Sequence, residues 1–227
     1  MKFLGLKNPL SERGFFSGLI ELPKDRAHWS ITLLFILLAY LLSFWIRLEW
    51  IEFAQANYID ESGEVQYLRP DMVRGGVALP NTHDSFYFGS ILQKGHLGMH
   101  EDNHLIPSVF TNGMITYLPY LLLEFFPSLE IELLLLWLPV YLAGIVCIPI
   151  VLIGRLYGSS LWGFFAACLA GITHSYYNRT LAGYYDTDIF SITIPAFALY
   201  FLLGASRRNS VNYAFFAALS LYLYNFF

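Results

Sequence analysis

Long apolar runs alternate with short polar segments over most of the chain. A helix needs about 20 mostly apolar residues to cross a bilayer. Four runs come close to that length, at about residues 29–46, 131–154, 161–176 and 189–205. A fifth run starts near Val211 and is still apolar at Phe227. The pattern predicts an all-α polytopic membrane protein with about five spans.

A further apolar stretch, residues 106–126, carries polar positions and helix breakers along its length, including Pro119 and Glu124. This favours an interfacial or re-entrant helix over a sixth span. If the stretch does not cross, the basic N-terminal segment, Arg155 and the pair 207–208 fall on one side. Positive charge marks that side as cytoplasmic. If the stretch does cross, the charge bias disappears, so we favour the non-crossing topology.

The predicted topology divides the chain into distinct regions. Residues 1–28 are predicted to be a cytoplasmic N-terminal segment, and residues 49–130 a large, acid-rich first outer loop. Short turns at 154–158 and 206–210 predict antiparallel neighbours in a compact helix bundle. Because the apolar pattern runs on to the last residue without a cap, we expect a longer protein of which this is the N-terminal part.

Composition narrows the class of protein further. The 227 residues are 56% hydrophobic and 13% charged, against roughly 25% charged residues in soluble domains. A soluble monomer would have too little polar surface. The net charge is −4 and no basic block occurs, so no nucleic-acid partner is predicted. Cys147 and Cys168, the two cysteines, lie in apolar runs and do not suggest disulfides.

The strongest candidate chemistry follows the third apolar run. Asp186 and Asp188 are separated by one residue, and Arg179 lies a few residues upstream. In an extended segment, side chains at i and i+2 point to one side, where two carboxylates could bind one Mg²⁺ or Mn²⁺. The arginine could bind phosphates or carboxylates. The alternative is that these are ordinary loop aspartates and that Asp188 caps the next helix.

A second candidate lies in the outer loop. Asp84 is part of Asn-Thr-His-Asp-Ser-Phe-Tyr at residues 81–87. Long loops in compact proteins are usually functional. A single aspartate after a histidine is, however, more often a turn or cap residue, and composition alone does not decide between the two interpretations.

The residues around these aspartates resemble a known family. Tyr-Tyr-Asn-Arg-Thr-Leu-Ala-Gly-Tyr-Tyr-Asp-Thr-Asp at 176–188 resembles the second acidic signature of bacterial single-subunit oligosaccharyltransferases of the PglB type. Residues 81–87 resemble the family's first acidic motif. The likeness continues more loosely from the first span onward, whereas the segment before Lys24 has no counterpart. The resemblance implies a GT-C type transmembrane helix bundle whose catalytic domain begins within residues 29–227.

The resemblance also implies a reaction. The family transfers an oligosaccharide en bloc from a polyprenyl diphosphate carrier to asparagine in Asn-x-Ser/Thr of an acceptor polypeptide. It does so on the periplasmic side of the bacterial inner membrane. By position, Asp84, Asp186 and Asp188 correspond to carboxylates that hold Mg²⁺ or Mn²⁺. Asp84 and Arg179 correspond to residues needed for catalysis.

Parts of the family pattern are absent from the sequence, namely a later acidic residue, a tryptophan-rich motif and the C-terminal periplasmic domain. We therefore expect residues 1–227 alone to be inactive. One alternative function is that of another GT-C enzyme that uses a polyprenyl monophosphate sugar. The sequence from Arg179 to Asp188 disfavours this alternative. A transporter is the second alternative, but transporters place ionisable residues near the bilayer midplane. Here the aspartates lie at predicted span ends.

Overall fold

A computed structural model describes residues 27–74 and 76–227 of the protein, so most of the predicted segment 1–28 lies outside the described residues. The chain is mainly helical, which confirms the predicted fold class of a helical membrane protein. The helices are α1 (Trp29–Gln55), α2 (His83–Leu97), α3 (Met114–Phe125), α4 (Ile131–Ala143), α5 (Cys147–Leu156), α6 (Ser160–Ile172), α7 (His174–Asn178), α8 (Asp188–Arg208) and α9 (Val211–Tyr224).

Two short hairpins, which the apolar pattern does not predict, lie in the outer segment. Strand β1 (Asn57–Ile59) pairs antiparallel with β2 (Val65–Tyr67), and β3 (Val73–Arg74) pairs antiparallel with β4 (Val77–Ala78). The predicted outer loop at 49–130 is therefore not a single loop. It begins within the last turns of α1 and contains both hairpins, α2 and α3.

Three helical stretches within the described residues are long and apolar enough to cross a membrane. They are α1, α8 and the continuous helix Ile131–Leu156, in which a 3₁₀ turn joins α4 to α5. Helix α6 has 13 residues and α9 has 14, so both are shorter than expected from their apolar runs. The predicted span 161–176 breaks early because Thr173 leaves the helical conformation at ψ 127°.

Helix α1 is longer than its apolar run predicts, because it continues past Ile46 to Gln55. One stripe of the helix is buried, and its residues are mostly small or polar: Thr32, Ala39, Ser43, Arg47, Ile51 and Ala54. Small side chains let neighbouring membrane helices approach closely. This stripe packs against α4, α5 and α6, while large apolar side chains such as Leu37 and Trp45 on the opposite face are exposed.

Helix α3 lies within the stretch 106–126, for which the sequence predicts a non-crossing element. It has 12 residues, which span about 18 Å at 1.5 Å per residue, against a hydrocarbon core of about 30 Å. Its buried Ile115 and Leu123 join a hydrophobic cluster with Leu92 of α2 and Leu135 of α4. Helix α3 is thus anchored on neighbouring helices, and like α6 and α9 it is shorter than the three helical stretches that are long enough to cross.

Arg155 and Arg207 both lie at one end of the bundle. At one end, Arg155 Nη1 donates to the carbonyl of Ala27 at 3.0 Å, and its guanidinium lies 4.1 Å from the centre of the Trp29 ring. Arg207 lies over the ring of Tyr157. The start of α1 and the ends of α5 and α8 therefore meet at this end. The segment that carries the aspartates lies at the other.

Helices α5 and α6 form a tight pair at the first of these ends. A Cβ atom on Gly154 would lie 2.4 Å from the Cα of Gly163. Only glycine permits this approach of two backbones. The close pair fixes the direction in which α6 runs toward the candidate site.

Candidate functional site

The segment 173–187, between α6 and α8, is held by three separate hydrophobic clusters. Tyr176 is buried with α1, α5 and α6; Ala182 is buried against the end of α1, β4 and α4; Tyr185 is buried with α2, α3, α4 and α8. The Tyr185 hydroxyl donates to the carbonyl of Ile115 at 2.7 Å. Burial raises the pKa of this phenol, so it stays protonated as a donor.

Hydrogen bonds join this segment directly to the start of α2. The carbonyl of Gly183 accepts from the backbone N–H of Asn81 at 3.0 Å and from the hydroxyl of Ser85 at 2.8 Å. In return, the N–H of Tyr185 donates to Ser85 Oγ at 2.8 Å. The Asn81 side chain also donates to the carbonyl of Ala182. These hydrogen bonds connect the two acidic motifs, which are about 100 residues apart in sequence. We call this contact the joint between the motifs.

Gly183 is the residue on which this contact depends. Its φ is +77°, and a Cβ there would lie 3.1 Å from the carbonyl oxygen of Leu79 and from the Cα of Pro80. Left-handed backbone and close approach both favour glycine. Its own N–H donates to the carbonyl of Leu136 in α4, so this residue connects α4 to both motifs.

Asp84 lies at the beginning of α2, which Thr82 caps by accepting from the N–H of Ser85 at 3.1 Å. A carboxylate in the first turn is favoured by the helix dipole. Asp84 is exposed, while the adjacent Ser85 is fully buried in the contact with Gly183. The chain thus presents this carboxylate on the surface, one residue from the joint between the motifs.

Asp186 and Asp188 differ in their surroundings. Asp188 is the first residue of α8, and its Oδ2 accepts from Arg179 Nη1 at 3.0 Å. Asp186 Oδ1 accepts from the N–H of Thr187 at 2.6 Å. Thr187 has helical angles of φ −60° and ψ −20°, so the expected extended arrangement of the two aspartates is replaced by the start of a helix.

Arg179 carries positive charge beside these carboxylates. Its pKa is raised, first by the neighbouring Tyr184 and then by the hydrogen bond and charge of Asp188. The guanidinium lies 6.0 Å from the centre of the Tyr184 ring. The arginine is exposed. It therefore stays protonated and can interact with an anion from solution as well as with Asp188.

The side chains fit a hard cation by their chemistry. Carboxylate oxygens are the ligands that Mg²⁺ prefers, usually one or two of them with water and phosphate completing the shell. Among residues 27–74 and 76–227, no three His, Cys, Asp or Glu side chains lie close enough together to form a metal-binding group. The joint brings together the segments that carry Asp84, Asp186 and Asp188, rather than a closed cage of three carboxylates.

Sequence reasoning missed one charged residue next to the site. Arg47 is 0% exposed within α1, and its Nε donates to the carbonyl of Thr180 at 2.9 Å. Thr180 directly follows Arg179. The available signal was the spacing of Arg47 and Ser43 on one face of α1, where Arg47 Nη1 donates to Ser43 Oγ at 2.8 Å.

Comparison with known proteins gives two findings. Residues 110–226 match the family model described as "Oligosaccharyl transferase STT3, N-terminal". The chain is also similar to two Campylobacter jejuni proteins, each named undecaprenyl-diphosphooligosaccharide–protein glycotransferase. Identity over 189 residues is 31% for the protein of subsp. jejuni serotype O:2 (strain ATCC 700819 / NCTC 11168) and 32% for that of strain RM1221.

Both similarities cover most of this chain and a minor part of the relatives. The aligned residues make up 83% of this chain and 24% of each Campylobacter protein. The chain thus spans about a quarter of the length of these curated relatives.

Proposed function

Because the chain belongs to the oligosaccharyl transferase STT3 family, we propose that it supplies the acidic site of a protein N-glycosylating enzyme. The enzyme moves an oligosaccharide from a polyprenyl diphosphate carrier to asparagine in Asn-x-Ser/Thr of an acceptor polypeptide. One observation carries the proposal: Gly183, Ser85 and Tyr185 join the segment of Asp84 to the segment of Asp186 and Asp188.

In this proposal Asp84, Asp186 and Asp188 hold a divalent cation, Mg²⁺ or Mn²⁺. When bound, such a cation neutralises charge that develops on a departing diphosphate. The aspartates come from two loops that the hydrogen bonds of Gly183 and Ser85 keep together. These hydrogen bonds hold the two segments together without a substrate, which supports a site whose charges are in place before the transition state forms.

Arg179 has two tasks in the same proposal. Its contact with Asp188 at 3.0 Å fixes the direction of that carboxylate. Its raised pKa keeps it cationic, so that its remaining N–H groups can donate to the diphosphate. Replacing the planar fork of arginine by lysine would retain the charge and lose the paired geometry.

Asp84 is the residue that we assign to the acceptor. A carboxylate that accepts hydrogen bonds from the amide N–H groups of asparagine weakens the delocalisation of the nitrogen lone pair. Asp84 is exposed at the start of α2, where a polypeptide can reach it. The buried Ser85 beside it holds the backbone of this turn in place. The carboxylate can therefore orient an incoming amide.

The proposed orientation in the membrane rests on charge. Arg155 and Arg207 lie with the start of α1 at one end of the bundle, and that end is assigned to the cytoplasm. The acidic site is at the opposite end, which faces the periplasm in a bacterial inner membrane. This arrangement supports transfer to polypeptides that have already crossed the membrane.

The test uses the protein expressed from its complete coding sequence, a polyprenyl diphosphate-linked oligosaccharide and a fluorescent Asn-x-Ser/Thr peptide. We expect Mn²⁺- or Mg²⁺-dependent transfer that Asp186→Asn lowers by about 100-fold or more, since loss of several kcal/mol of charge stabilisation corresponds to such a factor. The control is Asp102→Asn, the same change at an exposed aspartate of the outer segment.

Two results would contradict the proposal. One is transfer by Asp186→Asn at the rate of the control variant. The other is a folded wild-type protein that transfers sugar from a polyprenyl monophosphate donor and not from the diphosphate, which would favour the other GT-C class.

A further inference from the structure

Arg47 is the largest fully buried side chain within the described residues, although it is a cation inside a membrane helix. Burying a charge is costly unless hydrogen bonds satisfy it, and charges within membrane segments tend to be functional. Arg47 lies in α1, outside the two segments that carry the acidic motifs. The groups that it binds indicate what it does.

The guanidinium of Arg47 connects three separate parts of the chain. Nη1 donates to the Ser43 carbonyl at 2.9 Å on the same helix and to the Gly171 carbonyl at 3.1 Å in the last turn of α6. Nε and Nη2 donate to Thr180, the residue after Arg179. The acceptors recorded within the described residues are carbonyl and hydroxyl oxygens, so neutral groups satisfy this charge.

The positions of Gly171 and Thr180 show what the arginine holds. They lie on either side of the break at Thr173, so one side chain binds the chain before and after the turn that leaves α6. The carbonyl of Gly171 belongs to a helix C-terminus, where the dipole favours a cation. The hydrogen bonds of Arg47 thus connect the two ends of the turn that precedes and includes Arg179.

Two aromatic rings complete the surroundings. The Arg47 guanidinium carbon lies 5.5 Å from the centre of the Tyr176 ring and 5.6 Å from that of Tyr177. Both tyrosines belong to α7, the single turn between the two bound points. A cation over an aromatic face is attracted to it. The arginine therefore contacts the middle of the turn as well as its two sides.

We propose that Arg47 is a positioning residue that sets the turn from Gly171 to Thr180 and so aligns Arg179 with Asp188. This rests on the proposed function, in which Asp188 and Arg179 form part of the site. Lysine cannot reproduce the planar guanidinium of Arg47. Its three N–H donors radiate from one nitrogen and cannot reach Ser43, Gly171 and Thr180 together.

The experiment uses the protein expressed from its complete coding sequence, as wild type, Arg47→Lys and Thr180→Val. Thr180→Val keeps the arginine and removes the hydroxyl that Nη2 contacts. Arg155→Lys is the matched control, because Arg155 also binds a backbone carbonyl and an aromatic ring, at the opposite end of the bundle. The measurements are amide hydrogen exchange, Mn²⁺ binding by electron paramagnetic resonance, and peptide transfer.

We expect Arg47→Lys and Thr180→Val to speed exchange within residues 172–188 while α5 and the rest of α8 keep their protection. The Mn²⁺ concentration for half-maximal binding rises about tenfold or more, the usual effect of removing a partner that orients a metal ligand. Arg155→Lys leaves both measurements at their wild-type values.

Wild-type exchange and Mn²⁺ affinity in folded Arg47→Lys and Thr180→Val would overturn the inference. So would faster exchange spread evenly over the whole bundle, because that result is the signature of a general packing role. A wild-type protein that neither binds Mn²⁺ nor transfers sugar would instead refute the proposed function. The exchange pattern at 172–188 would still decide the role of Arg47.

Discussion

The hydroxyl of Ser85 offers the sharpest test of how the two acidic motifs are joined. It donates to the Gly183 carbonyl at 2.8 Å and accepts from the N–H of Tyr185 at 2.8 Å, and both Ser85 and Tyr185 are 0% exposed. Ser85→Ala removes the acceptor. The Gly183 carbonyl keeps its bond from Asn81, but the N–H of Tyr185 loses Ser85 Oγ as its acceptor in a buried site.

The size of the effect follows from that lost bond. Leaving a buried donor unsatisfied costs about 1–3 kcal/mol. If this whole free energy is added to the barrier for transfer, the rate of transfer at low substrate concentration drops by about 5- to 150-fold. Part of the same free energy should appear as a lower unfolding midpoint, because the joint also connects α2 to the start of α8.

The assay compares Ser85→Ala with Ser90→Ala in the complete protein. Ser90 lies on the same helix, and its hydroxyl donates to the carbonyl of Phe86 within that helix. We expect Ser90→Ala to change stability by no more than about 0.5 kcal/mol, as is usual for such sites. Thermal unfolding in detergent and the metal dependence of transfer are measured together. Equal behaviour of the two variants would refute the argument that Ser85 joins the motifs.

Two further predictions concern backbone and pH. Gly183→Ala should cost more stability than Gly63→Ala in thermal unfolding: both have positive φ, a penalty of about 1–2 kcal/mol, but a Cβ at Gly63 meets nothing within 4 Å. Equal losses would show that the close contact with Leu79 is unimportant. In the β1–β2 hairpin, the Ser62 hydroxyl and then the Glu64 N–H lower the pKa of Asp60 from 3.8 to about 2. Protection of this hairpin from amide exchange, corrected for intrinsic rates, should therefore be complete above pH 3.8 and fall as the pH drops toward 2. Asp60→Asn should remove this pH dependence, and its persistence would contradict the assignment.

The helical framework could be predicted because its signals are local. Apolar runs gave the positions of α1, α8 and the helix Ile131–Leu156. The non-crossing topology of residues 106–126 stays a prediction, and the structure adds that α3 has 12 residues. The lengths of α6 and α9 could not be predicted, because an apolar run does not reveal where the backbone leaves the helix, as it does at Thr173.

The assignment of site residues stays a prediction from the sequence, and the geometry around these residues could not be predicted from it. Asp186 and Asp188 carry a recognisable pattern, yet the start of α8 at Asp188 changes the expected extended arrangement. The joint depends on Ser85 and Gly183, whose contact spans 98 residues of sequence. A single sequence carries no record of such pairs. Arg47 was missed for the same reason, and also because an arginine at the end of an apolar run usually reaches toward water.

The burial of Arg47 also constrains the order in which the protein is made. Its partner Thr180 lies 133 residues later, so at about 5–20 residues per second α1 waits about 7–27 s for it. Until then the arginine faces a cost of up to about 2.5–3.5 kcal/mol in lipid and should stay hydrated at the membrane surface. Helix α1 therefore enters the membrane first but completes its packing only after α6 and α7 have followed it.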